Sequence, residues 1–175
     1  MQNQLMDIAA ARLRQRDGVS CGPTVAIVGA ALLDADYATC LASADWFHAE
    51  QGRLHRRLNR LWPRALGTTP MALARALSEH SATRYRWRLA RGGRDGLRNV
   101  REGVLLGYPV AMLVGRVIPR HWVLLTQAAG TAEFRCYEPS SGELRRVAAD
   151  DIRHARLTGV GYPRAFAFAL PERPW

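Results

Sequence analysis

The sequence predicts an α+β fold in which a helical N-terminal half packs against a C-terminal antiparallel sheet. Three observations predict it. Apolar residues recur with helical spacing in several segments before residue 106. After Gly-Tyr-Pro at 107–109, short runs rich in β-branched and aromatic residues follow one another. The turns between these runs are short, which favours antiparallel pairing of successive strands.

The helical elements are predicted over residues 22–33, 38–50, 52–62, 70–79 and 94–106. The first is apolar on nearly all sides, so we expect it to be buried. Thr69 is a good N-cap and Pro70 suits the first helical position of the fourth. The helix over 52–62 alternates leucines with arginines, which fits a helix docked on its own core or, alternatively, one lying on an anionic membrane.

The strand-like runs are residues 83–89, 109–115, 121–127, 132–138, 143–147 and 164–170. The first of them alternates in polarity, as a half-exposed strand does. We find no internal repeat, no low-complexity tract and no linker in the sequence. A single domain over residues 1–175 is therefore expected.

The basic residues of the chain are all of one type. All 25 basic residues are arginine, the formal net charge is +10, and lysine is absent. A GC-rich coding bias would explain this, and so would avoidance of lysine in a protein delivered into a foreign cytoplasm. The arginines are scattered rather than gathered in a stripe with aromatic residues, so no specific nucleic-acid partner is expected.

The cysteine pattern argues against structural metal and against a disulfide scaffold. Cys21, Cys40 and Cys136 are odd in number and widely spaced, with no C-x-x-C pair. We expect no metal and no cofactor. No stretch approaches the roughly 20 consecutive apolar residues of a membrane span, and the N-terminus lacks the pattern of a signal peptide. The expected location is the cytoplasm, or outside the cell by a route that needs no signal peptide. The oligomeric state is not predicted.

Cys21 is the candidate nucleophile. Cysteine attacks as the thiolate, and the N–H groups at a helix N-terminus favour that form. Cys21 comes directly before Gly22 and Pro23, where the first helix is predicted to begin, and Gly22 would leave room for a substrate carbonyl. The alternative is a thiol that only fills the core. We interpret Cys40 and Cys136 as buried structural thiols.

A base and a carboxylate are predicted on two neighbouring strands. His121 opens an apolar strand directly after a polar turn, so its side chain would project from a strand end into a cleft. The other four histidines are expected at the surface: His48, His55, His80 and His154. Glu138 ends the next strand and is followed by Pro139. In hairpin register it would lie opposite His121 and orient the imidazole.

Five segments of the sequence occur in an order that is known from one family of enzymes. The segments QRDGVSCGP, GTTPMALARAL, GYPVAMLV, HWVLL and YEPSSGEL follow one another as in papain-like bacterial cysteine peptidases. The chain most resembles the branch with the double-glycine leader peptidases of bacteriocin exporters and their stand-alone relatives, over about residues 12–152. It departs from that branch by a Glu-Pro pair at 138–139 where Asp-Pro is usual, and we expect no transporter domain after it.

The resemblance implies a papain-like fold and a role for each matching residue. Cys21 is then the nucleophile, His121 the base, Glu138 the residue that orients the base, and Gln15 the donor to the oxyanion. Gly22 and Trp122, beside the nucleophile and the base, are assigned to substrate contacts.

Together these residues predict a cysteine-dependent hydrolase that acts on the amide or thioester carbonyl of a peptide or protein. The arginine-rich chain favours an acidic substrate. A secreted effector or toxin of the same fold, performing deamidation or acyl transfer on a target-cell protein, is one alternative. An inactive papain-like module that binds peptides is another, and a membrane or nucleic-acid binder that uses the arginine face is a third.

Overall fold

The computed structural model describes residue 8 and residues 10–59, 67–90, 97–130 and 132–172. The helices are named α1 (Cys21–Leu33), α2 (Ala35–Thr39), α3 (Ala44–Leu58), α4 (Pro70–Ser78), α5 (Arg98–Leu105) and α6 (Ala149–Arg153). The strands are β1 (Tyr85–Leu89), β2 (Val110–Gly115), β3 (Pro119–Ala129), β4 (Glu133–Glu138), β5 (Glu143–Ala148) and β6 (Arg164–Pro171). Short 3₁₀ segments cover Cys40–Ala42 and Thr158–Val160.

The strands form one antiparallel sheet in the order β1-β6-β2-β3-β4-β5. The predicted α+β layout is confirmed, and each predicted strand is present within one or two residues of its expected bounds. The last strand, β6, inserts between β1 and β2, so β1 from the N-terminal half of the chain becomes an edge of the same sheet.

Helices cover both faces of this sheet because its central strands are apolar on both sides. Along β2, Ala111 and Leu113 join the core formed with α1, α3 and α4. Met112 and Val114 join a second core on the opposite face, which includes Val100 of α5. Every residue of β2 is buried, as expected of a central strand with a layer on each side.

Helix α1 is central to the first core. Twelve of its 13 residues are buried, from Cys21 to Leu32, which confirms the prediction from its apolar composition. Helix α4 begins as predicted, because the Thr69 side chain accepts a hydrogen bond from the N–H of Ala72 and Pro70 occupies the first turn.

The prediction of two helices over 38–50 and 52–62 is wrong. Instead, the Asp34 side chain caps the short helix α2, and the Ser43 side chain caps α3, which runs without a break to Leu58. Gly52 does not end α3, because it is buried within the helix against the side chain of Arg16. Residues 60–62 and 94–96 of the predicted helices lie outside the described residues.

Helix α3 docks on the protein's own core rather than presenting its apolar face outward. Phe47 and Leu54 are buried, whereas Arg53, Arg56 and Arg57 are exposed. In the described ranges no single helix has the length and apolar character to cross a membrane. Among these residues, only one adjoining pair of helical segments reaches that length and apolar character when counted together, Cys21–Leu33 with Ala35–Ala42. The chain bends by 118° between these two segments.

Candidate active site

The thiol of Cys21 lies at the first residue of α1, only 3% exposed. The preceding turn fixes this position by local hydrogen bonds. The Ser20 side chain accepts from the N–H of Asp17, and the Ser20 carbonyl accepts from the N–H of Thr24. Cys21 thus lies at the N-terminus of a helix that is buried along its length, where the free N–H groups of the first turn carry partial positive charge.

The His121 ring brings this thiol together with a carboxylate. Its Nε2 lies 2.8 Å from Oε1 of Glu138, and the ring also interacts with the side chain of Cys21. Since Nε2 is engaged by Glu138, Nδ1 is the nitrogen left for the thiol. His121 and Glu138 are 6% and 5% exposed. The structure therefore brings three buried residues from α1, β3 and β4 together, with a hydrogen bond between His121 and Glu138.

The turn after β4 holds the carboxylate of Glu138 from its other side. The N–H of Ser140 donates to Oε1 and the N–H of Ser141 donates to Oε2, each at 2.9 Å. The N–H of Gly142 donates to the Glu138 carbonyl. Pro139, which has no N–H of its own, starts this turn. Glu138 is thus an acceptor for two backbone groups and one imidazole, which fixes its orientation.

These contacts change the pKa values of both groups. Burial alone would lower the pKa of His121, but its interactions with Cys21 and Glu138 raise it to about 9. Burial alone would raise the pKa of Glu138, but the hydrogen bonds from His121, Ser140 and Ser141 lower it to about 2. Both shifts favour the charged forms, an imidazolium next to a carboxylate.

The predicted position of Glu138 opposite His121 is wrong in register. Leu124 pairs with Tyr137, so the next residue along β4 comes level with Val123, two residues from His121. Residues 121 and 123 share a face of the strand, so the pair is diagonal. Diagonal neighbours are within reach of long side chains, and the glutamate spans the offset.

Gln15 lies on the loop that leads to Cys21. Its Nε2 donates to the backbone carbonyl of Asp17 at 2.8 Å, and its backbone N–H donates to the carbonyl of Pro139. Its Oε1 is buried and has no hydrogen-bond partner in the described part of the chain. One N–H of the amide is thus used within the loop and orients the side chain, while the contact of the other with an oxyanion stays a prediction.

The loop that carries Gln15 is fastened to the turn that carries Glu138. The hydroxyl of Tyr137 donates to the Leu13 carbonyl, and Nε of Arg14 donates to the Ser141 carbonyl at 2.9 Å. Gly142 has a φ of +71°, and a Cβ there would lie 2.7 Å from the backbone of Arg12. Only glycine suits both requirements, so the two loops meet by direct backbone contact.

A second contact, missed by the sequence analysis, comes from α3. Gln51 is fully buried, its Oε1 accepts from the N–H of Arg16 at 2.7 Å, and its Nε2 donates to the Arg14 carbonyl at 3.0 Å. The hydroxyl of Thr24 in α1 lies 3.0 Å from the same Oε1. Gln51 therefore joins the loop before the nucleophile to the first turn of α1. No local pattern in the sequence marks this residue.

Tyr162 is the second residue that the sequence analysis missed. Its ring stacks on the His121 ring, with centroids 5.5 Å apart and planes 28° apart. Tyr162 belongs to the Gly-Tyr-Pro segment before β6, and the only sequence signal is an aromatic residue in a turn. Its ring covers the imidazole and contributes to the low exposure of that group.

Gly22 and Trp122, for which substrate contacts are predicted, both pack against Thr68 in the structure. A Cβ at Gly22 would lie 2.4 Å from Oγ1 of Thr68 and 2.5 Å from its Cβ, so the need for glycine comes from packing. The prediction for Trp122 is wrong, because its side chain is 1% exposed and its Nε1 donates to the Thr68 carbonyl at 2.9 Å. Both residues hold the segment around Thr68 against α1 and β3.

Two further predictions about single residues need correction. His55 is buried rather than at the surface, because the unbroken α3 places it on the same face as Phe47 and Gln51. Cys40 is half-buried in a 3₁₀ segment. Cys136 is fully buried as predicted, and that burial raises the pKa of its thiol.

Within the described ranges no group of three or more histidine, cysteine, aspartate or glutamate side chains is arranged to hold a metal ion. The sequence matches no protein-family model and no curated protein. Among solved structures, the chain is similar to the peptidase domain of Streptococcus ComA, described as a bi-functional ABC transporter involved in a quorum sensing pathway. The TM-score is 0.48 and the identity 17%, over 91% of this chain and 97% of that chain. The function proposed below rests on the side-chain geometry of this chain.

Proposed function

We propose that the protein is a cysteine-dependent hydrolase that cleaves an amide bond in a peptide or protein through an acyl-enzyme. The observation that carries the proposal is the His121 ring, which interacts with the Cys21 side chain and is hydrogen-bonded through Nε2, at 2.8 Å, to the Glu138 carboxylate. A nucleophile next to a base that is itself oriented by a third group is the arrangement that nucleophilic catalysis requires.

In the first step, the Cys21 thiol gives its proton to His121, its sulfur forms a bond to the carbonyl carbon of the substrate, and the carbonyl π electrons move to oxygen. The backbone N–H of Cys21 and the second N–H of Gln15 Nε2 donate to that oxyanion. Fixed donors of this kind contribute about 2.7–4 kcal/mol each to stabilising the transition state. The hydrogen bond of Nε2 to Asp17 supports this role because it fixes the amide before the substrate arrives.

In the second step, the imidazolium of His121 gives its proton to the leaving nitrogen, the C–N bond breaks, and the acyl group remains on sulfur. Neutral His121 then takes a proton from water, whose oxygen attacks the thioester and releases the acid and Cys21. Glu138 holds the ring in one orientation through both steps and stabilises its charged form. A pKa of about 9 for His121 favours the charged form that gives this proton.

The resemblance to papain-like bacterial cysteine peptidases supports the same assignment of roles. The net charge of +10 favours acidic peptides over basic ones as substrates. Deamidation or acyl transfer would use the same acyl-enzyme and differ only in the leaving group and in the nucleophile that resolves it.

The test is turnover of a mixed library of peptide coumarinyl amides, with mass spectrometry of the protein to detect an acyl adduct on Cys21. We expect Cys21→Ala and His121→Ala each to lower turnover by at least about 10³-fold, and the adduct to map to Cys21. Cys40→Ser is the matched control and keeps full activity.

Turnover that persists in the Cys21→Ala variant would contradict the proposal. So would a folded wild-type protein that neither cleaves any library member nor gains an adduct on Cys21, a result that favours the inactive peptide-binding module.

A further inference from the structure

Exposed apolar side chains gather at the β1 edge of the sheet. In the part of the chain that the structure describes, seven large apolar side chains are exposed. Two of them, Val117 and Ile118, lie in the turn between β2 and β3. The other five lie on β1 or line the two pockets beside it: Met71, Trp87, Leu89, Leu105 and Leu106. A cluster of this kind marks an interaction site more often than scattered exposed residues do.

The outer backbone groups of β1 have no strand to pair with among the described residues. β1 pairs with β6 only. The N–H of Glu172 donates to the Arg84 carbonyl, and the N–H of Ala90 donates to the Phe166 carbonyl. Even-numbered residues from 84 to 90 therefore point their backbone groups at β6. Because antiparallel ladders alternate, Tyr85, Trp87 and Leu89 point theirs outward.

A pocket flanks β1 on each face of the sheet, and the two differ in character. On the α5 face, a mostly apolar pocket of about 860 Å³ is lined by Leu105, Leu106 and Tyr108, and also by two arginines and two glutamates. On the α4 face, a pocket of about 520 Å³ is lined by Met71, Arg75 and Arg84.

The second pocket carries charge that is not neutralised locally. Arg75 and Arg84 are exposed, and neither forms an ion pair with any acidic residue that the structure describes. The pocket on the α5 face is thus mostly apolar, whereas the pocket on the α4 face combines the apolar Met71 and Trp87 with two cations that would attract an anion.

We propose that the β1 edge binds an extended segment of a partner protein in which apolar residues alternate with acidic residues. Such a segment would add a strand antiparallel or parallel to β1 through the outward groups of Trp87 and Leu89 and the carbonyl of Tyr85. The N–H of Tyr85 already donates to Oγ of Ser78 at 2.8 Å. Successive side chains of a strand point to opposite faces. One set would enter the pocket at Leu105 and Leu106, and the other would meet Arg75 and Arg84. Strand addition of this type gains affinity from the backbone and specificity from alternate pockets.

A second copy of this chain is a poorer occupant. Antiparallel pairing of two β1 strands about Trp87 would set Arg86 of each copy directly opposite Arg88 of the other, and like charges opposite each other destabilise a sheet. A membrane surface would satisfy the exposed leucines and arginines. It would not satisfy the outward N–H and C=O groups of β1, because the lipid interior offers no partners for them.

The probe for the test is a fluorescein-labelled ten-residue peptide of alternating leucine and glutamate, measured by fluorescence anisotropy at pH 7.5. The protein carries Cys21→Ala, which prevents turnover, so the result does not depend on the proposed hydrolase activity. A peptide of alternating leucine and lysine is the matched control. We expect the glutamate peptide to bind at least tenfold more tightly than the lysine peptide.

Two pairs of variants test the backbone and the charge separately. Leu89→Pro removes an outward N–H and leaves the bonds of β1 to β6 in place, and Leu89→Ala is its control. We expect at least a tenfold loss of affinity for the first and less than twofold for the second. Arg75→Glu with Arg84→Glu should cost at least tenfold, whereas Arg56→Glu with Arg153→Glu, the same charge change on exposed sites elsewhere, should cost less than threefold.

Absence of saturable binding of the glutamate peptide, or equal binding by Leu89→Pro and Leu89→Ala, would overturn the proposal. Co-sedimentation with anionic phosphatidylglycerol vesicles that needs Arg75 and Arg84 but is unchanged by Leu89→Pro would assign the surface to a membrane instead. A dimer in sedimentation velocity that Leu89→Pro dissociates would assign it to a second copy.

Discussion

The His121 imidazole lies between a thiol and a carboxylate, and this position determines its charge. Burial disfavours the imidazolium, whereas Cys21 and Glu138 favour it, and the two partners prevail. Their effect is large because little water competes with them at a site where all three residues are less than 7% exposed. The ring is therefore ready to give a proton to a leaving group.

Replacing Glu138 by glutamine should lower the pKa of His121. The amide keeps an acceptor for Nε2–H but removes the negative charge that favours the imidazolium. We expect the titration midpoint of the His121 ring, followed by NMR of its ¹³Cε1, to fall by at least about one pH unit from a value near 9. Glu143→Gln on β5 is the control and should not change it. An unaltered midpoint in Glu138→Gln would mean that the carboxylate does not charge the ring.

The packing of Gly22 against Thr68 is a second feature at this scale. A methyl group at residue 22 would lie 2.5 Å from Cβ of Thr68, which cannot rotate away. Gly22→Ala should therefore lower the free energy of unfolding by about 1–3 kcal/mol. In a Thr68→Gly background the same substitution should cost less than about 0.5 kcal/mol, because its collision partner is gone. Equal costs in both backgrounds, measured by urea denaturation, would refute the packing explanation.

At the scale of elements, the loop before α1 is held between two neighbours. The turn between β4 and β5 contacts it at Pro139, Ser141 and Gly142, and α3 contacts it through Gln51. Neither neighbour is close to this loop in sequence. The position of Gln15 relative to Cys21 therefore depends on α3 and on the β4–β5 turn as much as on the loop itself.

Gln51→Leu should destabilise the fold and slow turnover together. Leucine fills the volume but leaves the Arg16 N–H and the Arg14 carbonyl without partners, at about 1–3 kcal/mol for each buried group. We expect a loss of about 2–4 kcal/mol in the free energy of unfolding, and a fall in kcat larger than any change in KM.

A combination with Gln15→Ala separates a positioning role for Gln51 from general damage. If Gln51 acts on catalysis through the Gln15 loop, its substitution should lower kcat less in the Gln15→Ala background than in the wild type. Fully additive losses of kcat would show that Gln51 contributes only to stability.

Much of the element pattern is readable from the sequence, and the reasons are local. The strand run 121–127 and the helix start at Thr69 and Pro70 follow from composition and caps. The sequence predicts two helices where the structure has the single helix α3, which continues through residue 51 and keeps Gly52 buried within it against Arg16. Short-range signals predict elements, whereas contacts made in the folded chain decide where some of them end.

For the whole molecule, the candidate site forms where the N-terminus of α1 meets the start of β3 and the end of β4. The residue types Cys21, His121 and Glu138 were chosen from the sequence by their positions at element ends, and the structure brings these three together. The diagonal register of Glu138, the Tyr162 ring and the Gln51 contacts could not be chosen, since they depend on a bulge in β3 and on packing between distant segments. The β1 edge lies three strands from β3, about 14 Å away, so a peptide bound there would not cover the His121 ring.

The stability of the whole fold should depend on the charge of Glu138. Its pKa falls from 4.5 to about 2 on folding, so its ionised form stabilises the folded state above about pH 4.5, and this contribution is lost as the pH falls through about 2. The difference in free energy of unfolding between the wild type and Glu138→Gln should therefore be largest near pH 6 and shrink steadily below pH 4.5. A difference that stays constant from pH 6 to pH 2, measured by urea denaturation, would contradict this.

The most direct measurement for the central claim is the rate at which iodoacetamide alkylates each cysteine at pH 6, followed by mass spectrometry of the three peptides. Cys21 and Cys136 are both buried and Cys40 is the more accessible thiol, so exposure alone predicts that Cys40 reacts first. If His121 holds Cys21 as a thiolate, Cys21 should instead react at least about 100-fold faster than either of the others, and His121→Ala should abolish this advantage. Labelling of Cys21 no faster than Cys40, or fast labelling that survives His121→Ala, would contradict the account.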